Sequence, residues 1–377
     1  APYFLHTYLK EASVTSSIGA RKRGFSLNDI LPMFIYLNKI LYAKVEIITE
    51  NHKFAVMIDK ILLSPYYLTL KIRHWLYDSS KLKSYRYDVP VISIGNITVG
   101  GTGKTPHAEL VIEELMKMGH RVALISRGYG RKGKGYREVQ IDDRYEDVGD
   151  EPLQIKRKFP SIIVAVDSSR KRAIDHLLSL EDSVRPTIFV LDDAFQHREI
   201  IPSTSIVLVD YSRPVFQDRL LPFGRLRDLP SRITKADIVI VTKVPWWDEN
   251  PDKDLWRKKL HLREEQKLYF SRIEYCDLHP VFPESGDSRY IYSPKALLFS
   301  GIANNRPFID YLVGKYQIMG VLKFMDHKNY TPREICRIES LGQQYPTAAI
   351  ITTEKDTQRL RHLPYLSDDM KRRLLFL

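Results

Sequence analysis

From residue 89 onward, short runs of aliphatic and β-branched residues alternate with stretches whose apolar positions recur at helical spacing. The runs starting at Val89, Arg121, Ser161, Thr187, Ser205 and Ile238 predict strands. Helices are predicted from Thr105 to Met118, stopped by Gly119, and from Ser168 to Leu180. Continuous apolar strands joined by helical crossovers indicate a parallel sheet covered on both faces. A second alternating block follows, with strands expected at 296–300, 321–325 and 348–352 and helices at 307–315 and 332–341. The stretch from Trp246 to about Pro294 is rich in proline and charge and marks the junction. The expected organisation is an extension (1–56), an interfacial helix region (57–88), an α/β core (89–258) and a second, smaller α/β domain (259–377).

The first 88 residues break this pattern. Residues 1–56 hold a basic turn, Ala20-Arg-Lys-Arg-Gly24, and an interrupted apolar stretch, with no motif. The chain lacks an initial methionine, so a fragment or a processed form is expected, and Met57 is an alternative start. Residues 61–70 are strongly apolar, followed by Lys71, Arg73, His74, Trp75, Tyr77, Lys81 and Lys83. Aromatic rings and lysines beside a short apolar helix suit a membrane interface. A helix packed on the protein's own core would read the same way.

Composition narrows the partners. The 377 residues are 44% hydrophobic, enough for two domains. Two cysteines, Cys276 and Cys336, exclude a disulfide framework. A net charge of +12 favours an anionic partner: nucleic acid, phosphorylated substrate or anionic lipid. No apolar run reaches the ~18 residues of a membrane span, and the first residues lack a signal-peptide layout.

The chemistry begins at Gly95-Asn-Ile-Thr-Val-Gly-Gly-Thr-Gly-Lys-Thr-Pro106, between a predicted strand and a predicted helix. Its end matches G-x-x-x-x-G-K-[ST], with Thr98 where the first glycine would be. Thr98, Val99, Gly100, Gly101, Thr102, Gly103, Lys104 and Thr105 are therefore read as an ATP-binding loop. Backbone N–H groups and the helix N-terminus would face the phosphates. Lys104 would bridge the β- and γ-phosphates, and Thr105 would hold Mg²⁺. Asp192 and Asp193 close the apolar run from Thr187 and supply the metal-holding acid such a loop needs. Thr242-Lys243-Val244-Pro245 has proline where a guanine reader carries aspartate, which favours ATP over GTP.

Two stretches offer a base for an acceptor hydroxyl: Gly149-Asp150-Glu151-Pro152, and Asp326 beside His327. Arg127 to Arg137 carries five positive charges and no acid. That loop suits a phosphate on the acceptor. Nucleic acid would also fit the charge, but no nucleic-acid module is recognisable, and no obligate protein partner is evident.

Taken in order, eight motifs resemble the tetraacyldisaccharide 4′-kinases, the lipid A 4′-kinases of Gram-negative bacteria. They are G-N-I-T-V-G-G-T-G-K-T-P (95–106), S-R-G-Y-G-R (126–131), G-D-E-P (149–152), L-D-D-A-F-Q-H-R (191–198), L-L-P-F-G-R-L-R-D (220–228), G-I-A-N (301–304), F-M-D-H-K-N-Y (324–330) and T-T-E-K-D (352–356). The resemblance runs from about Met57 to near the C-terminus. It implies a P-loop NTPase-like fold and transfer of phosphate from ATP, with Mg²⁺, to the 4′-hydroxyl of a tetraacylated disaccharide 1-phosphate. It also implies a peripheral protein at the cytoplasmic face of the bacterial inner membrane. Asp150 would be the base, with His327 its partner and Asp326 beside it. Lys104, Thr105, Glu151, Asp192 and Asp193 would serve ATP and Mg²⁺. Arg127, Arg131 and His197 would lie toward the substrate. Two positions depart from the family pattern: Lys328 stands where a second histidine is frequent, and Ala194 where glycine is usual. The rival readings are a P-loop ATPase switch acting on a protein partner and a non-enzymatic membrane-binding protein. Lipid phosphorylation against phosphate release without lipid separates the kinase from the switch.

Overall fold

The computed structural model describes residues 64–302, 304–326 and 328–377. The expectations for residues 1–63 and for His327 lie outside the described residues.

The elements, in chain order, begin with helix α1 (Ser64–Asp78) and strand β1 (Val91–Gly95). Then come α2 (Lys104–Lys117), β2 (Val122–Ser126), β3 (Arg137–Glu138), α3 (Tyr145–Val148) and α4 (Asp150–Lys158). They continue through β4 (Ile163–Val166), α5 (Arg170–Leu178), β5 (Ile188–Asp192), β6 (Thr204–Asp210), β7 (Ile238–Thr242), α6 (Lys253–Lys259) and β8 (Lys267–Phe270). The second half holds β9 (His279–Pro280), β10 (Lys295–Ser300), α7 (Arg306–Val313), β11 (Gln317–Lys323) and α8 (Pro332–Gln344). It closes with β12 (Ala349–Thr352), α9 (Glu354–Leu360), α10 (Asp368–Arg373) and β13 (Leu374–Phe376).

Two sheets organise these elements. The first has the order β3-β4-β2-β5-β1-β6-β7-β8, parallel except for β3. The second has the order β11-β10-β12-β13-β9, parallel except for β9. The large sheet is apolar on both faces because both are covered. Ile94, Leu124 and Val190 pack with Ala108 and Ile112 of α2, while Ala123, Ile125 and Phe189 pack with Ala173, Ile174 and Leu177 of α5. Each of the larger side chains among them contributes about 1.5–3 kcal/mol on burial. The second sheet repeats the plan, with Phe299 and Ile350 facing Ile335 and Ile338 of α8, and Leu298 and Ile351 facing Phe308 and Leu312 of α7.

The expected α/β architecture with a smaller second unit is the one observed. The first sheet runs past the expected boundary at 258: β8 pairs with β7, so the chain crosses to the second sheet between Phe270 and His279. The strand expected at 321–325 lies earlier, at Gln317–Lys323. It is an edge strand carrying Gly320, where a Cβ would fall 2.8 Å from Leu341 Cδ2, so apolar alternation alone does not mark its start.

The sheets meet through two helices. On α4, Asp150, Glu151, Gln154 and Arg157 recur at the spacing of one helix face. On α9, Glu354, Lys355, Gln358 and Arg359 do the same. Lys355 reaches Glu151 at 2.8 Å, Gln154 reaches Glu354 at 3.1 Å, and Arg157 reaches Gln358 at 2.6 Å. Arg359 binds Asp150. The seam is polar throughout these pairs, and it delivers side chains of the second sheet to the first.

Candidate functional site

Strands β1, β5, β6 and β7 are parallel, so their C-terminal ends open on one edge of the sheet. In open α/β sheets that edge, where chain order reverses around a central strand, is where ligands bind. β1 is that central strand. The loop 96–103 leaves it and enters α2, whose N-cap is Gly103 at φ 86°. That left-handed conformation favours glycine. Gly95 is required for a different reason: a Cβ there would sit 2.8 Å from Phe195 Cβ.

The loop is held from both sides. Val99 N–H donates to Arg225 O (2.7 Å), and Arg227 N–H donates to Ile97 O (2.8 Å), so the 220–228 segment runs against its first half. Asn96 Nδ2 donates to Thr102 Oγ1 at 2.7 Å. Lys243 Nζ donates to Gly101 O and, at 2.8 Å, to Asp210 Oδ2. Thr242 Oγ1 donates to Thr102 O (2.9 Å), and His107 Nδ1 lies 2.7 Å from Gly103 O. Burial pushes the His107 imidazole down to about 4, so it is neutral at ordinary pH.

Lys104 opens α2 with its ammonium 3.8 Å from Asp193 Oδ1. Asp193 follows β5 at φ 47° and is gripped by both terminal nitrogens of Arg227. Burial opposes its charge, but Arg227 and Lys104 outweigh that and hold the carboxyl below the usual range. Asp192 is different. It is buried, accepts from Ser126 Oγ at 3.2 Å, and has no guanidinium on its carboxylate among the bonds described. Burial, then Glu151 and Asp193, push it up to about 7. Below the pair, buried Arg170 donates to Asp192 O at 3.3 Å.

At the seam, side chains of the second unit meet those of α4. Asp150 begins α4, with the Glu151 N–H on its Oδ1 at 3.0 Å and Arg359 on its Oδ2. Lys355 binds Glu151. Burial works against the Lys355 charge, yet Glu151, Asp150 and Asp326 outweigh it and raise its titration. Asp326 thus faces the same cluster from the end of β11. Asp356 ties the rest together, accepting from Gly301 N–H (3.1 Å), Tyr330 OH (2.9 Å) and Thr353 Oγ1 (2.6 Å), with Arg359 Nη1 at 3.4 Å.

The fold therefore brings Lys104, Thr105, Asp192 and Asp193 to one sheet edge, with Asp150, Glu151 and Asp326 around Lys355 beside it. Thr98 is nearly buried and pairs with Leu226, whereas Val99 is exposed. Arg127 is exposed at the end of β2. Arg131 is turned into its own loop, donating to Val166 O at 3.2 Å and to Gly135 O. His197 sits on a cavity of about 330 Å³ with Arg73, Tyr77, Lys83 and Arg198. Burial, then Arg170 and Arg73, drive its imidazole down to about 4. Sequence reasoning assigned no role to His107, Arg227, Lys243, Lys355, Asp356 or Arg359. Arg227, Lys243, Lys355 and Asp356 stood inside quoted stretches, and that membership was the only signal they carried.

Helix α1 has two faces. Leu70 is buried, His74 Nε2 meets Asp228 Oδ1 at 2.6 Å, and Tyr66 OH donates to Arg227 O at 3.1 Å. Tyr67, Leu68, Ile72 and Trp75 are exposed, and the Lys71 and Lys81 ammonium groups lie over the Tyr67 and Trp75 rings. Among the described residues, no helix is long and apolar enough to cross a membrane.

The chain is similar to known proteins. Residues 60–376 match the family model described as tetraacyldisaccharide-1-P 4′-kinase. The chain is 43% identical over 316 residues to the tetraacyldisaccharide 4′-kinase of Parabacteroides distasonis, covering 81% of this chain and 85% of that one. It is 41% identical over 320 residues to the Bacteroides thetaiotaomicron enzyme of the same name, covering 81% and 83%. The crystal structure of LpxK from Aquifex aeolicus in complex with ATP superposes with a TM-score of 0.64 at 26% identity, covering 84% of this chain and 92% of that one.

Proposed function

This chain belongs to the tetraacyldisaccharide 4′-kinase family and transfers phosphate from ATP to the 4′-hydroxyl of a tetraacyldisaccharide 1-phosphate, and from that premise we propose how its residues divide the work. The observation that carries the division is the seam, where α9 sets Lys355 and Arg359 on Glu151 and Asp150 beside the loop that ends in Lys104.

The loop 98–105 cradles the ATP phosphates. Lys104 lies along the β- and γ-phosphate oxygens and offsets charge that grows as the phosphoryl group transfers. Asp193, fixed by Arg227, aims the lysine. Asp150 receives the proton of the 4′-hydroxyl as that oxygen attacks the γ-phosphorus and ADP departs. Its oxygens accept from Arg359 and the Glu151 N–H, which orients the carboxylate. Phosphoryl transfer of this kind is largely dissociative, so positioning counts for more than base strength. Asp326 serves the acceptor side, and by its place in the family motif His327 would be the partner of Asp150. Arg127 lies toward the substrate's 1-phosphate, with Arg131 shaping the loop that carries it and His197 lining the neighbouring cavity.

The donor set fits Mg²⁺. Thr105 and Asp192 offer hard oxygens at one sheet edge, with Glu151 close enough to help push Asp192 up to about 7. A crowded carboxylate of this kind is relieved by a cation. Among the described residues no three acidic or imidazole groups converge on one point. Mg²⁺ commonly takes only one or two carboxylates and completes its shell with phosphates and water. When bound, the ion would neutralise charge on the nucleotide phosphates.

The exposed face of α1 rests on the membrane surface while its inner face locks to the core through His74 and Asp228. The substrate's acyl chains then stay in the bilayer, which suits a peripheral protein at the cytoplasmic face of the inner membrane. The test combines ATP, Mg²⁺ and the tetraacyldisaccharide 1-phosphate in detergent, with product mass as readout. Asp150→Asn should lower kcat ~10²–10⁴-fold with little change in KM for ATP. The Asp150→Asn, His327→Ala double variant should lose little beyond the worse single one. Fully multiplicative losses refute a shared role.

A further inference from the structure

Three successive carbonyls of the nucleotide loop, those of Gly101, Thr102 and Gly103, each face a side chain from outside the loop or from the helix it enters. The groups are Lys243 Nζ, Thr242 Oγ1 and His107 Nδ1. We infer that Thr242, Lys243 and His107 form a brace that keeps the loop in its phosphate-binding conformation, and that they are positioning residues for ATP. This rests on reading the loop as the ATP site.

A glycine-rich loop is free to flip its peptides, because glycine occupies both signs of φ. Gly100 and Gly103 stand at φ 110° and 86°. A flipped peptide would point the negative end of its dipole at the phosphates in place of an N–H donor. Anchoring the carbonyls on the far side removes that alternative before ATP arrives, so binding need not supply the ordering.

Each anchor is itself held. The Lys243 ammonium is shared with Asp210 Oδ2 at 2.8 Å, and both side chains are largely shielded from solvent. Thr242 is buried at the end of β7. His107 Nε2 lies 3.0 Å from Ser271 Oγ. Because Gly103 O can only accept, His107 must carry its proton on Nδ1, and Nε2 then accepts from Ser271. Strands β6 and β7 and the residue after β8 thus converge on the back of the loop. Thr242-Lys243 occupies the place of a guanine-reading motif, but Pro245 stands where the base-reading aspartate would be. The pair is left with the loop-holding part of that task.

The experiment measures KM for ATP, KM for lipid, kcat and Tm in Lys243→Met, Thr242→Val and His107→Leu, together with direct binding of a fluorescent ATP analogue. Loss of one such bond should weaken ATP binding roughly ten-fold, leave KM for lipid unchanged and lower kcat less than it raises KM for ATP. Thr242→Ser and His107→Gln, which keep a donor, should recover most of the affinity. Lys243→Met, at the least buried of the three positions, decides the matter should another variant fail to fold. Wild-type ATP affinity in Lys243→Met, or Thr242→Ser as impaired as Thr242→Val in folded protein, overturns the brace. Lys104→Ala separates the two readings. If it too binds and turns over ATP normally, the loop is not the ATP site; if it is inactive while the brace variants bind ATP normally, only the brace falls.

Discussion

Arg359 of α9 binds the carboxylate of Asp150 at the head of α4, joining the two sheets through a pair of side chains both almost excluded from solvent. The residues lie 209 positions apart. Breaking such a pair leaves a buried charge without its partner, which typically costs ~3–5 kcal/mol. Arg359→Met should therefore lower Tm strongly. Arg359→Lys keeps the charge but loses the planar fork. It should fold, hold ATP normally and lose kcat by about ten-fold or more as Asp150 drifts from its aim. Unchanged kcat in folded Arg359→Lys would separate the seam from catalysis.

Lys104→Ala should cut turnover ~10²–10³-fold, the usual cost of removing one preorganised donor to developing charge. The same change frees Asp193 of a neighbour at 3.8 Å but leaves Arg227 on it, so Tm should move little. Near-normal turnover would remove the loop from the mechanism.

Replacing Tyr67, Leu68, Ile72 and Trp75 by serine strips the outer face of α1 without touching Leu70, His74 or Tyr66. At ~25 cal/mol per Å² of apolar surface, the four side chains are worth several kcal/mol of membrane affinity. Lys71, Lys81 and Lys83 should add roughly 1 kcal/mol each near anionic lipid, less as salt rises. The variant should leave anionic vesicles in flotation while keeping ATP binding and activity in detergent. Full flotation of this variant would mean that the surface of α1 is not the membrane contact.

Burial beside Glu109 pushes the Glu354 carboxyl up to about 8, against 4.5 for the free side chain. Between those values the folded chain keeps a proton that the unfolded chain has released, so stability falls as pH rises through the window. Glu354→Gln keeps an oxygen to accept from Gln154 and removes that dependence. Its Tm should fall less than wild type's between pH 5 and pH 8. Parallel curves would show that Glu354 does not titrate inside the fold.

Much of the fold was legible because its causes are local. A strand covered on both faces must be apolar throughout, so β5 and β7 declared themselves as unbroken runs. An amphipathic helix carries its own period, as in α8, expected at 332–341 and found at Pro332–Gln344. The loop at 95–106 was legible as the turn between β1 and α2 for the same reason: its glycines free the backbone where the chain enters the helix. The short strands β3, β9 and β13 were not, since runs of two or three residues have no period to read. Helix α1 read equally well as membrane-facing or core-packed; its Leu70 and His74 side packs on the core, while Tyr67, Leu68, Ile72 and Trp75 are exposed.

The sequence alone therefore determined the alternating α/β plan, the glycine-rich loop between β1 and α2, the aspartates at the end of β5 and the acids at the head of α4. These follow from short-range sterics, hydrogen bonding and patterning of burial. Only the tertiary structure decided that Asp193 is gripped by Arg227 while Asp192 is not, that Lys243 backs the loop, and that Arg131 turns inward. It also decided that Arg359 and Lys355 come to Asp150 and Glu151 from the far end of the chain. An ion pair across a helix seam depends on how two helices dock, and a charged residue on a helix reads the same whether it faces solvent or a partner.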